Sequence, residues 1–241
     1  MSVRVTKETQ PRVVLKGANS GTVNSGVLSG SGDGVRVSMT FTATAEPLIV
    51  IPYGNVAEAQ LEAGSFVTSY IPTSGSQVTR SADLASIPVS AFGYNDQAGT
   101  IVVEAVLANH GNSGSSSEGI ASLIANGGVE NIGLYKLGEV NSNKVFFDVR
   151  SSNTSQATFT VEAASGEVKI AYGFAENDFN ISVDGALETK DTSGSVPTGV
   201  SSLVLGYIYY IGGGFPLNGH IKSVQYYPRR LTDDQLVELT S

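Results

Sequence analysis

The chain has 241 residues, of which 41% are hydrophobic and 15% charged, with a formal net charge of −8 and no cysteine. That length allows one large or two small domains with a real core, and the composition is not that of a disordered chain. The acidic balance argues against a nucleic-acid partner, which would need a basic stripe, and the lack of cysteine excludes disulfides, thiolate metal sites and cysteine nucleophiles.

The first residues, Met1-Ser2-Val3-Arg4-Val5-Thr6-Lys7, hold no apolar h-region, so no secretory signal is expected. No apolar run reaches the length of a membrane span, so no membrane insertion is expected. Turn signals recur roughly every ten residues between short apolar runs, the pattern of an all-β sandwich or barrel. In chain order, Arg12 to Leu15 reads as a strand. Gly34 to Ala43 alternates, with Val35, Val37, Met39 and Phe41 on one face, and Leu48 to Ile51 follows. Gly17 to Asp33 reads as loop with a short hairpin around Val23 to Leu28. Val56 to Leu61 has a helical period.

Residues Ala59-Gln60-Leu61-Glu62-Ala63-Gly64-Ser65-Phe66-Val67-Thr68-Ser69-Tyr70-Ile71-Pro72-Thr73 resemble an element common in phage structural proteins. There it ends a small carbohydrate-module-like β-sandwich. Strands that would complete such a module are not evident in residues 1–34, so this piece is either truncated or completed by a neighbouring subunit. Residues 73–80 are polar and read as a linker. The expected division is a β-rich N-terminal region over 1–76 and a second domain over 77–241.

In the second domain the expected strands are Asp83 to Ile87, Thr100 to Leu107, Gly119 to Ala125, Val129 to Leu137, Lys144 to Arg150 and Ala157 to Val161. Glu167 to Ala175, Asp178 to Val183, Ser201 to Tyr207 and His220 to Tyr227 follow. Val168, Ile170, Tyr172 and Phe174 share a face. So do Phe179, Ile181 and Val183, with Asn180, Ser182 and Asp184 opposite. Asp184-Gly185 signals a tight hairpin. Near the end, Thr232 is placed as a helix N-cap with Gln235 three residues on, a capping box, and Leu231 and Leu236 fit a hydrophobic staple.

The closing segment, Leu217-Asn218-Gly219-His220-Ile221 through Tyr226-Tyr227-Pro228-Arg229-Arg230 to Leu236, resembles the end of concanavalin A-like, laminin-G-like jelly-roll domains. It is most similar to those of bacteriophage tail-fibre and virion surface proteins. The resemblance implies an antiparallel β-sandwich of jelly-roll form. It also implies a binding module on a virion surface, host surface glycan and other virion proteins as partners, and a homo-oligomer, expected to be a trimer. It further implies that Pro228-Arg229-Arg230 is structural, its arginines pairing with rim acids.

Enzymatic readings find little support. Jelly-roll glucanases carry a run of acids at strand spacing, because alternate residues share a face. Glu104, Glu162 and Glu188 each lack the second acid. The two histidines, His110 and His220, are not spaced as zinc ligands, and no Gly-x-Ser-x-Gly elbow falls in a strand-turn-helix context. No enzymatic activity and no obligatory cofactor are therefore expected. Calcium is the metal the jelly-roll resemblance allows, with Asp96, Asp178, Asp184 and Asp191 as candidate ligands, each equally a turn former. For a sugar, aromatic faces stack on pyranose rings while polar groups bond hydroxyls. Tryptophan is absent, so tyrosine would serve. Tyr207, Tyr209 and Tyr210, in what reads as a Gly-rich loop, and Asn109, His110 and Asn112, in another, are the candidate ligand-binding residues. The alternative for the tyrosines is packing or a subunit contact.

Overall fold

The computed structural model describes residues 2–5, 12–18, 21–24, 35–42, 48–54, 56–62, 68–79, 83–107, 117–125, 128–137, 144–163, 166–210 and 213–241. For residues 2–5, 12, 15–18, 21–24, 35, 208–210 and 213–215 it describes the backbone. The chain divides into two compact units, Met1–Ser81 and Ala82–Ser241.

The first unit holds two three-stranded antiparallel sheets. One is built from β1 (Ser2–Val5), β4 (Val35–Ser38) and β6 (Val56–Gln60), in the order β4-β1-β6. The other is built from β2 (Arg12–Ala18), β3 (Gly21–Asn24) and β5 (Ile49–Tyr53), in the order β3-β2-β5. Val13 of β2 is buried against Val37, Met39, Phe41, Leu48, Val50 and Val56, so apolar residues of both sheets meet on it. The strand expected at Arg12 to Leu15 lies within β2, and two expectations are corrected. Residues 1–34 contribute two further strands, β1 and β3. β3 pairs with β2, registered Leu15 to Val23, while residues 25–28 of the hairpin expected around Val23 to Leu28 lie outside the described residues. Val56 to Gln60 is a strand and not a helix, because pairing with β1 (Val5 to Val56, Ser2 to Gln60) outweighs the helix propensity of Ala, Glu and Gln.

Beyond β6, two side chains clasp the segment that returns along it. Glu62 accepts from Thr68 N at 2.9 Å and from Thr68 Oγ1 at 2.6 Å. Gln60 Oε1 accepts from Ile71 N at 2.9 Å, and Arg36 Nη1 donates to Thr68 O at 2.7 Å. The polar residues of the Ala59 to Thr73 segment thus tie its two ends together.

The second unit is a sandwich of two antiparallel sheets. The six-stranded sheet runs β12-β11-β10-β9-β16-β7, from β7 (Ala85–Pro88), β9 (Glu118–Ala125), β10 (Glu130–Lys136), β11 (Lys144–Ser151), β12 (Thr154–Glu162) and β16 (Ser202–Leu205). The five-stranded sheet runs β15-β14-β13-β8-β19, from β8 (Ala98–Leu107), β13 (Gly166–Ala175), β14 (Asp178–Val183), β15 (Ala186–Leu187) and β19 (Gly219–Tyr227). Alternation puts the expected residues inward. Val168, Ile170, Tyr172 and Phe174 meet Phe179, Ile181 and Val183 from one sheet and Leu123, Leu134, Phe147 and Phe159 from the other. Tyr172 is fully buried, and its hydroxyl crosses between sheets to donate to Ala121 O at 3.2 Å. Burial pushes that phenol well above its ordinary value, with Tyr135 adding to the rise.

The Asp184-Gly185 turn closes β14 on β15 with φ of 47° and 80°, the left-handed pair of a tight hairpin. The chain ends in α1 (Asp233–Thr240), whose capping box on Thr232 and Gln235 is present. Leu231 and Leu236, flanking the cap, are both buried on Val102 and Ala171, so the helix lies on the outer face of the five-stranded sheet. Asn180 and Ser182 are buried in consequence, and Ser182 Oγ lies 2.8 Å from Thr240 Oγ1. No helix of the described residues is long and apolar enough to cross a membrane.

Candidate functional site

The registers bring several strand ends together at one end of the sandwich. Leu107 pairs with both Gly166 and Gly219, Lys136 with Glu118, and Lys144 with Glu162. Asn109, His110 and Asn112 lie outside the described residues. His220 is exposed at the start of β19. Glu118 and Lys136 are buried here side by side, and Glu118 Oε2 accepts from Asn218 N at 2.9 Å. Burial pushes the Lys136 ammonium down, against the opposing charge of Glu118.

The tyrosine run is not a loop. Tyr207–Tyr210 forms β17 and Gly213–Pro216 forms β18, paired Tyr207 to Pro216 and Tyr209 to Gly214 in a separate two-stranded ribbon beside β9. The side chains of Tyr209 and Tyr210 lie outside what the structure describes. Tyr207 is half-buried, and Gly206 at the ribbon's root, with φ of 70°, donates to Ile120 O at 2.9 Å.

The acids expected at a metal site are dispersed. Asp96 is exposed and accepts from its neighbour Gln97 at 3.1 Å. Asp178, at the end opposite the ribbon, pairs with Arg230 at 3.1 Å and Lys190 at 3.2 Å. Asp184, at a positive φ in the hairpin turn, accepts from Lys169 N of β13 at 2.8 Å, and Asp191 forms a turn by accepting from Ser193 N at 3.0 Å. Among the described residues no three His, Cys, Asp or Glu side chains are grouped to hold a metal. Arg230, as expected of the Pro228-Arg229-Arg230 segment, joins rim acids, with Asp233 at 2.6 Å as its second partner.

Sequence reasoning missed the outer face of the six-stranded sheet. The registers place Ser86, Val204, Ser122, Gly133, Asp148 and Thr158 in one cross-strand row. Ile132, Leu134, Phe147 and Val149 point into the core, so Asn131, Gly133 and Tyr135 of β10, with Phe146, Asp148 and Arg150 of β11, face outward. Tyr135 lies along its own strand over Gly133, where an added Cβ would collide with its hydroxyl. That hydroxyl accepts from Asn131 Nδ2 at 2.5 Å. Phe146 stacks beside the tyrosine at 6.4 Å between ring centroids. Asp148, 2% exposed, is held by Arg150 Nε at 2.6 Å and Ser155 Oγ at 3.4 Å. Ser122 Oγ and Asn131 Oδ1 are buried without a hydrogen-bond partner among the described residues. A signal existed in the sequence: single polar residues at every second position of strands otherwise made of Ile, Leu, Phe and Val.

No family model matches the chain, and no curated protein matches its sequence. The fold recurs in solved structures. CBM40 of the Ruminococcus gnavus IT-sialidase, in a structure bound to alpha2,3 sialyllactose, is similar with a TM-score of 0.50 at 20% identity. The match covers 63% of this chain and 87% of that one. The NanB sialidase of Streptococcus pneumoniae is similar with a TM-score of 0.50 at 14% identity, over 65% of this chain and 27% of that one. The chain therefore spans about a quarter of the whole sialidase's length. At these identities the likeness speaks to fold, and the fold is an all-β, concanavalin A-like jelly roll of two antiparallel sheets, as the closing segment led one to expect.

Proposed function

We propose that this chain is a lectin-like module that binds a cell-surface glycan without turning it over. We propose further that it does so on the surface of a bacteriophage virion. The observation that carries the glycan reading is the outer face of the six-stranded sheet, where half-exposed Phe146 and Arg150 flank the buried Asn131, Tyr135 and Asp148, on a jelly roll whose other sheet is covered by α1. Ring faces beside fixed hydrogen-bonding groups match the two-sided chemistry of a pyranose. The resemblance of this fold to CBM40, a module seen with sialyllactose, supports the same class of ligand. Binding without hydrolysis is supported by spacing. Asp148 and Glu162 are the carboxylates of β11 and β12 on this face. Register sets them four residues apart along the strands, about 13 Å. Hydrolysis requires about 5–9.5 Å. The virion setting rests on the resemblance of the Ala59 to Thr73 element and of the closing segment. Many weak sites on one particle would then act by avidity.

A second reading, docking onto other virion proteins as a homo-oligomer, is favoured by one feature. Edge strand β7 and the residue before it expose Leu84 (67%) and Ile87 (39%).

The test is binding of the labelled chain to intact bacteria, with and without the purified surface polysaccharide as competitor. Saturable binding abolished by the polysaccharide is the expected result. Absence of binding by a multimerised form, in which avidity is restored, would move the function to virion assembly.

A further inference from the structure

We draw no further inference here: the strongest candidate, the edge strand β7 of the six-stranded sheet, where Ile87 and the preceding Leu84 are exposed, carries none because nothing in the structure shows what covers it.

Discussion

Arg230 fastens the C-terminal helix to the sandwich, and its removal has a calculable cost. Its side chain is 8% exposed. Nη2 lies 2.6 Å from Asp233 and 3.1 Å from Asp178, and Nη1 donates to Leu231 O. The stem rests on Gly173, where an added Cβ would come within 2.6 Å of Cδ. A fully buried pair broken on one side costs about 3–5 kcal/mol, and a surface pair about 0–1. Asp178 and Asp233 are 37% and 27% exposed, and Lys190 stays within 3.3 Å of both, so solvent and the remaining cation absorb part of the loss. Arg230→Ala should therefore lower stability by about 2–3 kcal/mol. Urea unfolding followed by tyrosine fluorescence measures this, since the chain has no tryptophan and a denaturing salt would screen the pair. Arg230→Met keeps the stem on Gly173 and should recover about 1 kcal/mol of the loss as packing. A double-mutant cycle with Asp233→Asn should give a coupling of about 1–2 kcal/mol. A loss under about 0.5 kcal/mol for Arg230→Ala, or no coupling, would refute the reasoning and leave Leu231 and Leu236 as the whole anchor.

Three further outcomes follow from the geometry. Burial opposes ionisation of Asp233, but hydrogen bonds and charge from Arg230 and Lys190 outweigh it and hold the carboxyl below its ordinary 3.8. A depressed carboxylate stabilises fully above its unfolded value and ceases to do so as pH falls through the folded one. Stability should thus decline below about pH 4, and Asp233→Asn should flatten that limb in thermal melts against pH. Glu62 is likewise held low, its burial outweighed by bonds from Thr68 and Gln60. Glu62→Ala should open the clasp, and amide exchange at Thr68, whose N–H it accepts, should rise at least tenfold. Gly185→Ala puts a Cβ at φ of 80°, 3.3 Å from Ser241 Oγ, and should cost about 1–2 kcal/mol in chemical denaturation.

What the sequence disclosed and what it hid follow from the range of the interactions. The capping box, the Asp184-Gly185 turn and the inward rows of β13 and β14 are local signals, written within a few residues, and all were readable. Strand β1 was not, because it is short and finds its partners at positions 35–38 and 56–60. Its pairing overrode a helical pattern at Val56 to Gln60. The tyrosine run misled for a related reason. Three consecutive glycines after it suggest a loop, yet glycine backbone can also pair, and it pairs with Tyr209 and Tyr210.

The face around Gly133 shows the limit most clearly. Ser122, Gly133 and Asp148 lie on three strands, and only the registers align them. In β9 a bulge between the partners of Leu134 and Tyr135 changes the count on the way. A one-residue slip in either pairing would turn that face into the core, as alternation requires. Each polar residue alone could be dismissed as a tolerated exception in an apolar strand. Together they form a row that only the strand registers reveal, because its members come from three separate strands.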